Sequence, residues 1–120
     1  MLTNTQKGTS GEEIAAAHLL KQGYNILAKN WRYKHLEIDI IAQINDLLVI
    51  VEVKLRASNA FGSPEEFVTK AKQKKLIKAA DFYIKENNVM CETRFDIISV
   101  IQNSQHLNVK HITAAFYPTL

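Results

Sequence analysis

The sequence predicts an α/β fold in which a mixed sheet is flanked by helices. A run of mostly aliphatic residues from 37 to 54, interrupted by a short polar turn, indicates a central β-hairpin. Helix-start motifs precede a longer amphipathic segment on each side of this hairpin, and two more apolar segments close the chain. The expected order of elements is therefore α-β-β-β-α-β-β, which is typical of a sheet covered by helices.

The composition favours one folded domain spanning residues 1–120. Hydrophobic residues make up 47% of the chain, which is enough for a core, and this length suits a single domain. The one cysteine, Cys91, allows neither an internal disulfide nor a cysteine-based zinc site, so we expect a cytoplasmic protein. The N-terminal residues lack the apolar segment of a signal peptide, and no apolar run is long enough to span a bilayer. We therefore expect no membrane association.

Local signals place the outer elements of this order. The first helix is expected from the capping box Ser10-Gly11-Glu12-Glu13 to about Gln22. A short strand over residues 24–29 should follow it. Two strands over residues 93–101 and 107–113 should end the chain.

The central hairpin brings two acidic residues together. Strands are predicted over residues 37–43 and 47–54, with Asn45-Asp46 as the turn. With these two residues in the loop, the register places Asp39 directly opposite Glu52. Because side chains alternate along a strand, both carboxylates should then lie on the same face of the sheet.

The two faces of the hairpin are expected to differ. One is wholly apolar and should pack on a helix: Ile38, Ile40, Ala42, Leu47, Val49, Val51 and Val53. The other carries Ile41, Leu48 and Ile50 near the turn and, at the far end, Asp39, Glu52, Glu37 and Lys54. On this register Glu37 lies opposite Lys54.

The charged end of the hairpin predicts metal-dependent chemistry. Opposed carboxylates repel each other by about 0.2–1 kcal/mol, and a divalent cation would offset that repulsion. Asp39 and Glu52, with the backbone carbonyl of Val53, supply the hard oxygen ligands that Mg²⁺ or Mn²⁺ prefers. Lys54 could hold an attacking water or stabilise charge on a phosphate. The alternative is a surface salt bridge between Glu37 and Lys54 beside two solvated acids.

Glu12 is a further acidic candidate, in the first turn of the first helix. It shares a side of that helix with Ala16 and Leu19, which would direct it towards the sheet. Acidic residues are also favoured at helix N-termini on electrostatic grounds alone, so Glu12 remains open to both interpretations.

The second helix is expected to supply basic residues. It should run from the capping box Ser63-Pro64-Glu65-Glu66 to about Glu86, with a second start near Thr69. Five lysines lie between positions 70 and 78, which suits binding to a phosphate backbone. A solvated helix face is the alternative explanation for such a run. The candidate substrate-binding residues are Arg56, Lys70, Lys72, Gln73, Lys74 and Lys75.

Residues 30–35, Asn-Trp-Arg-Tyr-Lys-His, mix aromatic rings with cations. Such a segment could stack nucleic-acid bases and contact phosphates. Trp31 could equally belong to the core.

A set of motifs, in order along nearly the whole chain, resembles a known family. They are Gly8-x-x-Gly11-Glu12, Asn30-Trp31-Arg32, Glu37-Ile38-Asp39, Val51-Glu52-Val53-Lys54-x-Arg56, Phe61-Gly62-x-Pro64, Lys72-Gln73 and Arg94-Phe95-Asp96. This set resembles the YraN family of small bacterial proteins, which belongs with the Holliday-junction-resolvase-like branch of the PD-(D/E)XK nucleases. The resemblance implies a restriction-endonuclease-like α-β-β-β-α-β core.

The resemblance also implies roles for individual residues. Asp39 corresponds to the motif aspartate, Glu52 and Lys54 to the E-x-K pair, and Glu12 to the helical glutamate of resolvase-type enzymes. Gln73, with Lys72, corresponds to the polar position of the second helix. Two positions depart from the family pattern: Ile38 replaces the motif proline, and Leu36 stands where many relatives have glycine.

Together these observations predict an Mg²⁺- or Mn²⁺-dependent endonuclease that acts on DNA, at branched or damaged structures. The candidate catalytic residues are Glu12, Asp39, Glu52 and Lys54. The competing hypothesis is a nucleic-acid-binding module without catalysis that acts through a partner protein. A homodimer is expected because a chain of this size offers little surface to grip a duplex.

Overall fold

The computed structural model describes residues 4–57 and 68–118. Their helices are α1 (Asn4–Lys21) and α2 (Lys70–Glu86), and their strands are β1 (Asn25–Tyr33), β2 (Leu36–Ile44), β3 (Leu47–Arg56), β4 (Glu92–Gln102) and β5 (Leu107–Phe116). None of the helices in this described part is long and apolar enough to cross a membrane.

The strands form one mixed sheet in the order β1-β2-β3-β4-β5. Neighbouring strands are antiparallel except β3 and β4, which run parallel and are separated in sequence by α2. The two helices contribute to different hydrophobic clusters on the two faces of the sheet. The predicted α/β class, with a mixed sheet flanked by helices, is confirmed.

The register of the central hairpin is confirmed. Ile44 pairs with Leu47, and the same register continues to the pair Ile40–Val51. Asn45 adopts a left-handed backbone conformation with φ of 51°, which asparagine tolerates better than most residues. The turn therefore fixes the pairing, as the sequence predicted.

Each helix covers its own apolar face. The α1 face contains Ala15, Ala16, Leu19, Tyr24, Ile40, Ala42, Val49, Val51, Ile98 and Val100. The α2 face contains Leu36, Ile38, Ile41, Leu48, Ile50, Val68, Leu76, Ala79, Ala80, Phe95, Ile97 and Phe116. The alternation predicted for β3 is observed, because Leu48 and Ile50 face α2 while Val49 and Val51 face α1.

The prediction for Ile38 was wrong. It lies on the α2 face, although Ile40 and Ala42 lie on the α1 face. Between the pairs Lys29–Ile40 and Trp31–Ile38, Asn30 has φ of 52°. This left-handed residue interrupts the regular alternation of side chains between the two faces. As a result Ile38 and Ile40, two residues apart on either side of Asp39, point to opposite faces of the sheet.

Two predicted boundaries shift. The first helix begins at Asn4, so the motif at residues 10–13 lies inside α1 and is not its start. The first strand continues to Tyr33 and thus includes most of the aromatic and basic segment. The second start near Thr69 is confirmed, since Thr69 Oγ1 accepts a hydrogen bond from Lys72 N at 3.2 Å. The motif at residues 63–66 lies outside the described residues. Both predicted C-terminal strands are confirmed.

A buried ion network joins β4, β5 and the start of β1. Asp96 accepts two hydrogen bonds from Arg94, at 2.9 and 2.8 Å, one from His111 Nε2 at 2.7 Å and one from the Ala114 backbone N–H at 2.9 Å. Arg94 Nη2 also donates to Tyr24 Oη at 2.6 Å. All the charged atoms of Asp96 are therefore paired inside the protein.

Candidate metal and phosphodiester site

Asp39 and Glu52 meet where β2 and β3 separate. Regular pairing ends at Ile40–Val51, one residue short of the predicted direct opposition. The backbone N–H of Val53 instead donates to Asp39 Oδ2 at 2.8 Å, and the Asp39 and Glu52 carboxyl groups are in hydrogen-bonding contact. The structure thus brings together the two acids that the sequence analysis paired.

Glu52 is held in an unfavourable environment for a negative charge. Only 6% of the residue is exposed. Burial raises the pKa of Glu52 to about 8, helped by the contact with Asp39 and opposed by Lys72 and Lys54. Its Oε2 atom has no hydrogen-bond partner among the described residues, and Lys72 Nζ lies 3.5 Å away, at the outer range of an ion pair. The charge of an ionised Glu52 is therefore only partly compensated.

The two lysines reach this carboxyl group from different elements. Lys54 is two residues further along β3 and acts on Glu52 electrostatically. Lys72 projects from the first turn of α2, which Thr69 caps. Gln73 does not join them: its side-chain amide donates to the Val68 carbonyl at 3.1 Å and so holds the residues that precede the helix.

Glu12 approaches Asp39 from the other helix. A Cβ on Gly11 would lie only 3.1 Å from Cδ2 of Leu55, so glycine lets α1 pack close to β3 at this point. Burial raises the pKa of Glu12; a hydrogen bond from the Asn30 side chain opposes the rise, and the charges of Asp39 and Glu37 add to it. Glu12 is thus an electrostatic neighbour of Asp39, and α1 lies on the opposite face of the sheet from Lys72 and α2.

Glu37 does not lie opposite Lys54 as predicted. Its neighbours Leu36 and Ile38 both point into the α2 core, so Glu37 points the other way. It forms an exposed ion pair with Arg32 of β1, at 3.8 Å. The exchange of faces next to Asp39 explains the error.

A metal ion would rely on few protein ligands here. Within the part of the chain that the structure describes, no group of three His, Cys, Asp or Glu side chains has metal-binding spacing. Glu12 therefore does not form a three-carboxylate set with Asp39 and Glu52. Two carboxyl groups in contact, one with a buried oxygen that accepts no hydrogen bond from the described residues, still fit a hard cation such as Mg²⁺, which commonly keeps several waters. The carbonyl of Val53 as a further ligand stays a prediction.

The remaining basic candidates lie around this pair. Arg56 ends β3 and is half-buried, while Lys70, Lys74 and Lys75 are exposed on α2. Among the predicted substrate-binding residues, the structure brings Lys72 into ion-pair range of an acid of the site.

Sequence reasoning gave no role at the acidic pair to two residues of this region. Asn30 combines the left-handed backbone with the hydrogen bond to Glu12. Ser99 pairs with Lys54 across β3 and β4, is 1% exposed, and its hydroxyl has no hydrogen-bond partner among the described residues. A lone serine inside the apolar run of β4 was a usable signal for Ser99, whereas the contacts of Asn30 depend on a distant helix.

Sequence comparisons identify the family. The family model described as Uncharacterised protein family UPF0102 matches residues 11–100. The chain belongs to the UPF0102 family. YraN is a name of this family, so the predicted family is confirmed. The matched residues include Glu12, Asp39, Glu52, Lys54 and Lys72.

Relatives from several bacteria match along most of their length. The UPF0102 protein of Flavobacterium johnsoniae is 44% identical, with 98% of each chain covered. That of Bacteroides thetaiotaomicron is 43% identical over 100% of this chain and 99% of the relative. That of Chlorobium chlorochromatii is 42% identical over 92% of this chain and 90% of the relative. These relatives are named for the family alone, and their names state no reaction.

Proposed function

We propose that this UPF0102 protein is a divalent-metal-dependent endonuclease that hydrolyses phosphodiester bonds in DNA, at branched or damaged structures. The observation that carries the proposal is the contact between Asp39 and Glu52, with two lysines beside it and a buried Glu52 oxygen that accepts no hydrogen bond from residues 4–57 and 68–118. Such a site has acceptors for a cation and donors for a phosphate.

Each residue has a role in this proposal. Asp39, Glu52 and the carbonyl of Val53 hold Mg²⁺ or Mn²⁺, which when bound supplies positive charge to a phosphoryl oxygen. Lys54 orients the attacking water and stabilises charge on the phosphate. Glu12, which is hydrogen-bonded to the Asn30 side chain, supports the metal or its water shell.

The substrate backbone is held by the basic residues around the acids. Lys72 lies nearest to Glu52, and its ammonium group can turn from the carboxylate to a phosphate. The other members of this set are Arg56, Lys70, Gln73, Lys74 and Lys75. Phosphate contacts of this kind position a nucleic acid without reading its sequence.

The decisive experiment is a cleavage assay with matched variants. Labelled branched, flapped and linear DNA, and RNA of the same sequences, are incubated with Mg²⁺, with Mn²⁺ and with chelator. We expect metal-dependent cleavage of DNA, lost in Asp39→Asn and Lys54→Ala. Asp46→Asn is the control, because Asp46 is an exposed acid in the turn of the same hairpin. Cleavage that survives in chelator or in Asp39→Asn would contradict the proposal.

A second function, nucleic-acid binding without catalysis through a partner protein, has one observation in its favour. Lys72 already partly neutralises Glu52, and no third acid joins the pair among the described residues. Under this alternative all the substrates are bound, none is cut with either metal, and Asp39→Asn binds as well as the wild type.

A further inference from the structure

Four aromatic rings form a cluster at the edge of the sheet near the site. They are Trp31 and Tyr33 of β1 and Phe82 and Tyr83 of α2, and all are half-buried. Tyr33 stacks on Phe82 with 4.3 Å between ring centroids, and Trp31 is nearly parallel to Tyr33 at 6.3 Å. Tyr83 meets Trp31 edge-on at 5.7 Å. Trp31, Phe82 and Tyr83 pack against the α2 core, so this aromatic cluster is rigidly supported.

The cluster lies on the end strand of the described sheet and has the ammonium group of Lys34 beside it. Among the described strands, β1 lies at the end of the sheet and pairs with β2. Lys34 Nζ lies 5.5 Å from the centre of the Tyr33 ring. Lys29 and Arg32 of the same strand lie on the other face of the sheet, since Lys29 acts on Glu12 of α1 and Arg32 pairs with Glu37, so neither belongs to the cluster. Partly exposed rings beside a cation match the flat bases and charged backbone of a single-stranded nucleic acid.

The position of the cluster relates it to the acidic pair. Trp31 pairs with Ile38, which directly precedes Asp39. From β1 to β3, which carries Glu52, there are two strand spacings, or about 10 Å. A short unpaired segment can therefore rest its bases on the rings while its backbone passes the carboxyl groups.

We propose that Trp31, Tyr33 and Lys34 form a stacking site for unpaired nucleobases. The substrate class would then be a nucleic acid with a single-stranded segment beside the phosphate to be cut. This assignment of substrate rests on the proposed nuclease function, but base stacking itself requires neither metal nor cleavage. DNA and RNA share the base chemistry, so both are included in the test.

Intrinsic fluorescence offers a direct test because Trp31 is the only tryptophan in the chain. The whole protein, in chelator, is titrated with single-stranded DNA, single-stranded RNA and a duplex of equal length. We expect the Trp31 emission to change on binding of at least one single strand, with at least tenfold weaker binding of the duplex. A ring contact contributes about 1–3 kcal/mol per base, so Tyr33→Leu should weaken single-strand binding roughly five- to hundredfold.

Two variants separate stacking from simple apolar packing. Tyr33→Phe keeps the ring and should bind like the wild type, whereas Tyr33→Leu keeps only apolar bulk. Tyr117→Leu is the matched control, because Tyr117 is 69% exposed and lies outside the cluster. Circular dichroism of each variant confirms that the fold is retained. Equal binding of duplex and single strand, or equal binding by Tyr33→Leu and Tyr33→Phe, would overturn the proposal.

The same experiment distinguishes this inference from the nuclease proposal. Ring-dependent binding in chelator without cleavage in metal would support the stacking site and contradict the nuclease. Metal-dependent cleavage with no effect of Tyr33→Leu on binding would support the nuclease and contradict the stacking site. A change in Trp31 emission with protein concentration alone would show that a second copy covers the rings, and this result would also overturn the proposal.

Discussion

Two buried acids on neighbouring strands, Asp96 and Glu52, have opposite environments. They lie close in the sheet, since Val51, next to Glu52, pairs with Asp96. Burial would raise the pKa of Asp96, but hydrogen bonds from His111, Arg94 and the Ala114 N–H together lower it. Glu52 has no comparable set of donors in the part of the chain that the structure describes, and its pKa rises to about 8.

The difference indicates what each acid does. A buried charge with all its hydrogen bonds made contributes to structure, and its removal leaves unpaired partners. A buried carboxyl group held against a second one destabilises the folded chain, which a bound cation would relieve. We therefore interpret Asp96 as a structural residue and Glu52 as a residue that serves to bind a cation.

The largest expected effect is loss of stability in Asp96→Ala. The substitution leaves Arg94 and His111 without their carboxylate, so the free energy of unfolding should fall by about 3–5 kcal/mol. Urea denaturation measures it. The control is Asp81→Ala, which breaks an exposed ion pair with Lys85 and should cost no more than about 0.5 kcal/mol. Equal small losses in both variants would remove the distinction between the two buried acids.

Glu52→Gln should raise the free energy of unfolding, whereas Asp96→Ala lowers it. In metal-free buffer near pH 9 we expect this variant to be more stable than the wild type by about 2 kcal/mol, because it removes a poorly compensated buried charge. Denaturation in chelator measures the change. A loss of stability as large as that of Asp96→Ala would show that Glu52 is a structural acid after all.

The pH dependence of this difference follows from the two pKa values of Glu52. The folded value, about 8, lies above the ordinary value of 4.5, so the folded chain keeps its proton longer than the unfolded chain. Between these values the unfolded state loses the proton first, and the free energy of unfolding should fall as pH rises. Glu52→Gln should flatten this slope.

Asp96 affects stability at acidic pH. The stabilisation that its carboxylate contributes is present above its ordinary pKa of 3.8 and is lost as the pH falls through its lowered folded pKa.

Divalent metal should raise the stability of the wild type by less than Asp96→Ala lowers it. At a hundredfold excess over its dissociation constant, a ligand of the folded state adds about 2.7 kcal/mol. Binding of Mn²⁺ must remove the proton from Glu52, so below pH 8 its apparent affinity should fall by up to about tenfold per pH unit. Calorimetry in buffers of different ionisation enthalpy detects the released proton. Glu52→Gln should lose the effect and Asp46→Asn should keep it; a pH-independent affinity would argue against Glu52 as a ligand.

The sequence predicted the parts of this comparison that depend on local order. The two-residue turn and the alternation of β3 were enough to bring Asp39 to Glu52. The errors at Ile38 and Glu37 come from Asn30, whose left-handed backbone lies in another strand and disturbs β2 from the side. A hairpin pattern contains no information about its neighbouring strand, so this exchange of faces was beyond local reasoning.

The Asp96 network was hidden for a related reason. Its members Tyr24, Arg94, Asp96 and His111 are up to 87 residues apart in sequence, and only the folded sheet and its loops bring them together. The misplaced start of α1 has a different cause. A Ser-x-x-Glu pattern also fits inside a helix, so the motif at residues 10–13 could not by itself exclude a turn of helix before it.

The smallest expected effect is at Ser99, whose buried hydroxyl lies beside Lys54 and makes no hydrogen bond among the described residues. A polar group in this state is unfavourable, so Ser99→Ala should leave the free energy of unfolding unchanged or raise it by up to about 1 kcal/mol. Urea denaturation, with Ser99→Val as a variant of larger volume, measures this. If Ser99→Ala lowers the free energy of unfolding by more than 1 kcal/mol, the hydroxyl forms a hydrogen bond in the folded protein, and Ser99 is a structural residue like Asp96. If stability holds while cleavage or Mn²⁺ affinity falls, Ser99 belongs with Glu52, because its hydroxyl then serves the site and not the fold.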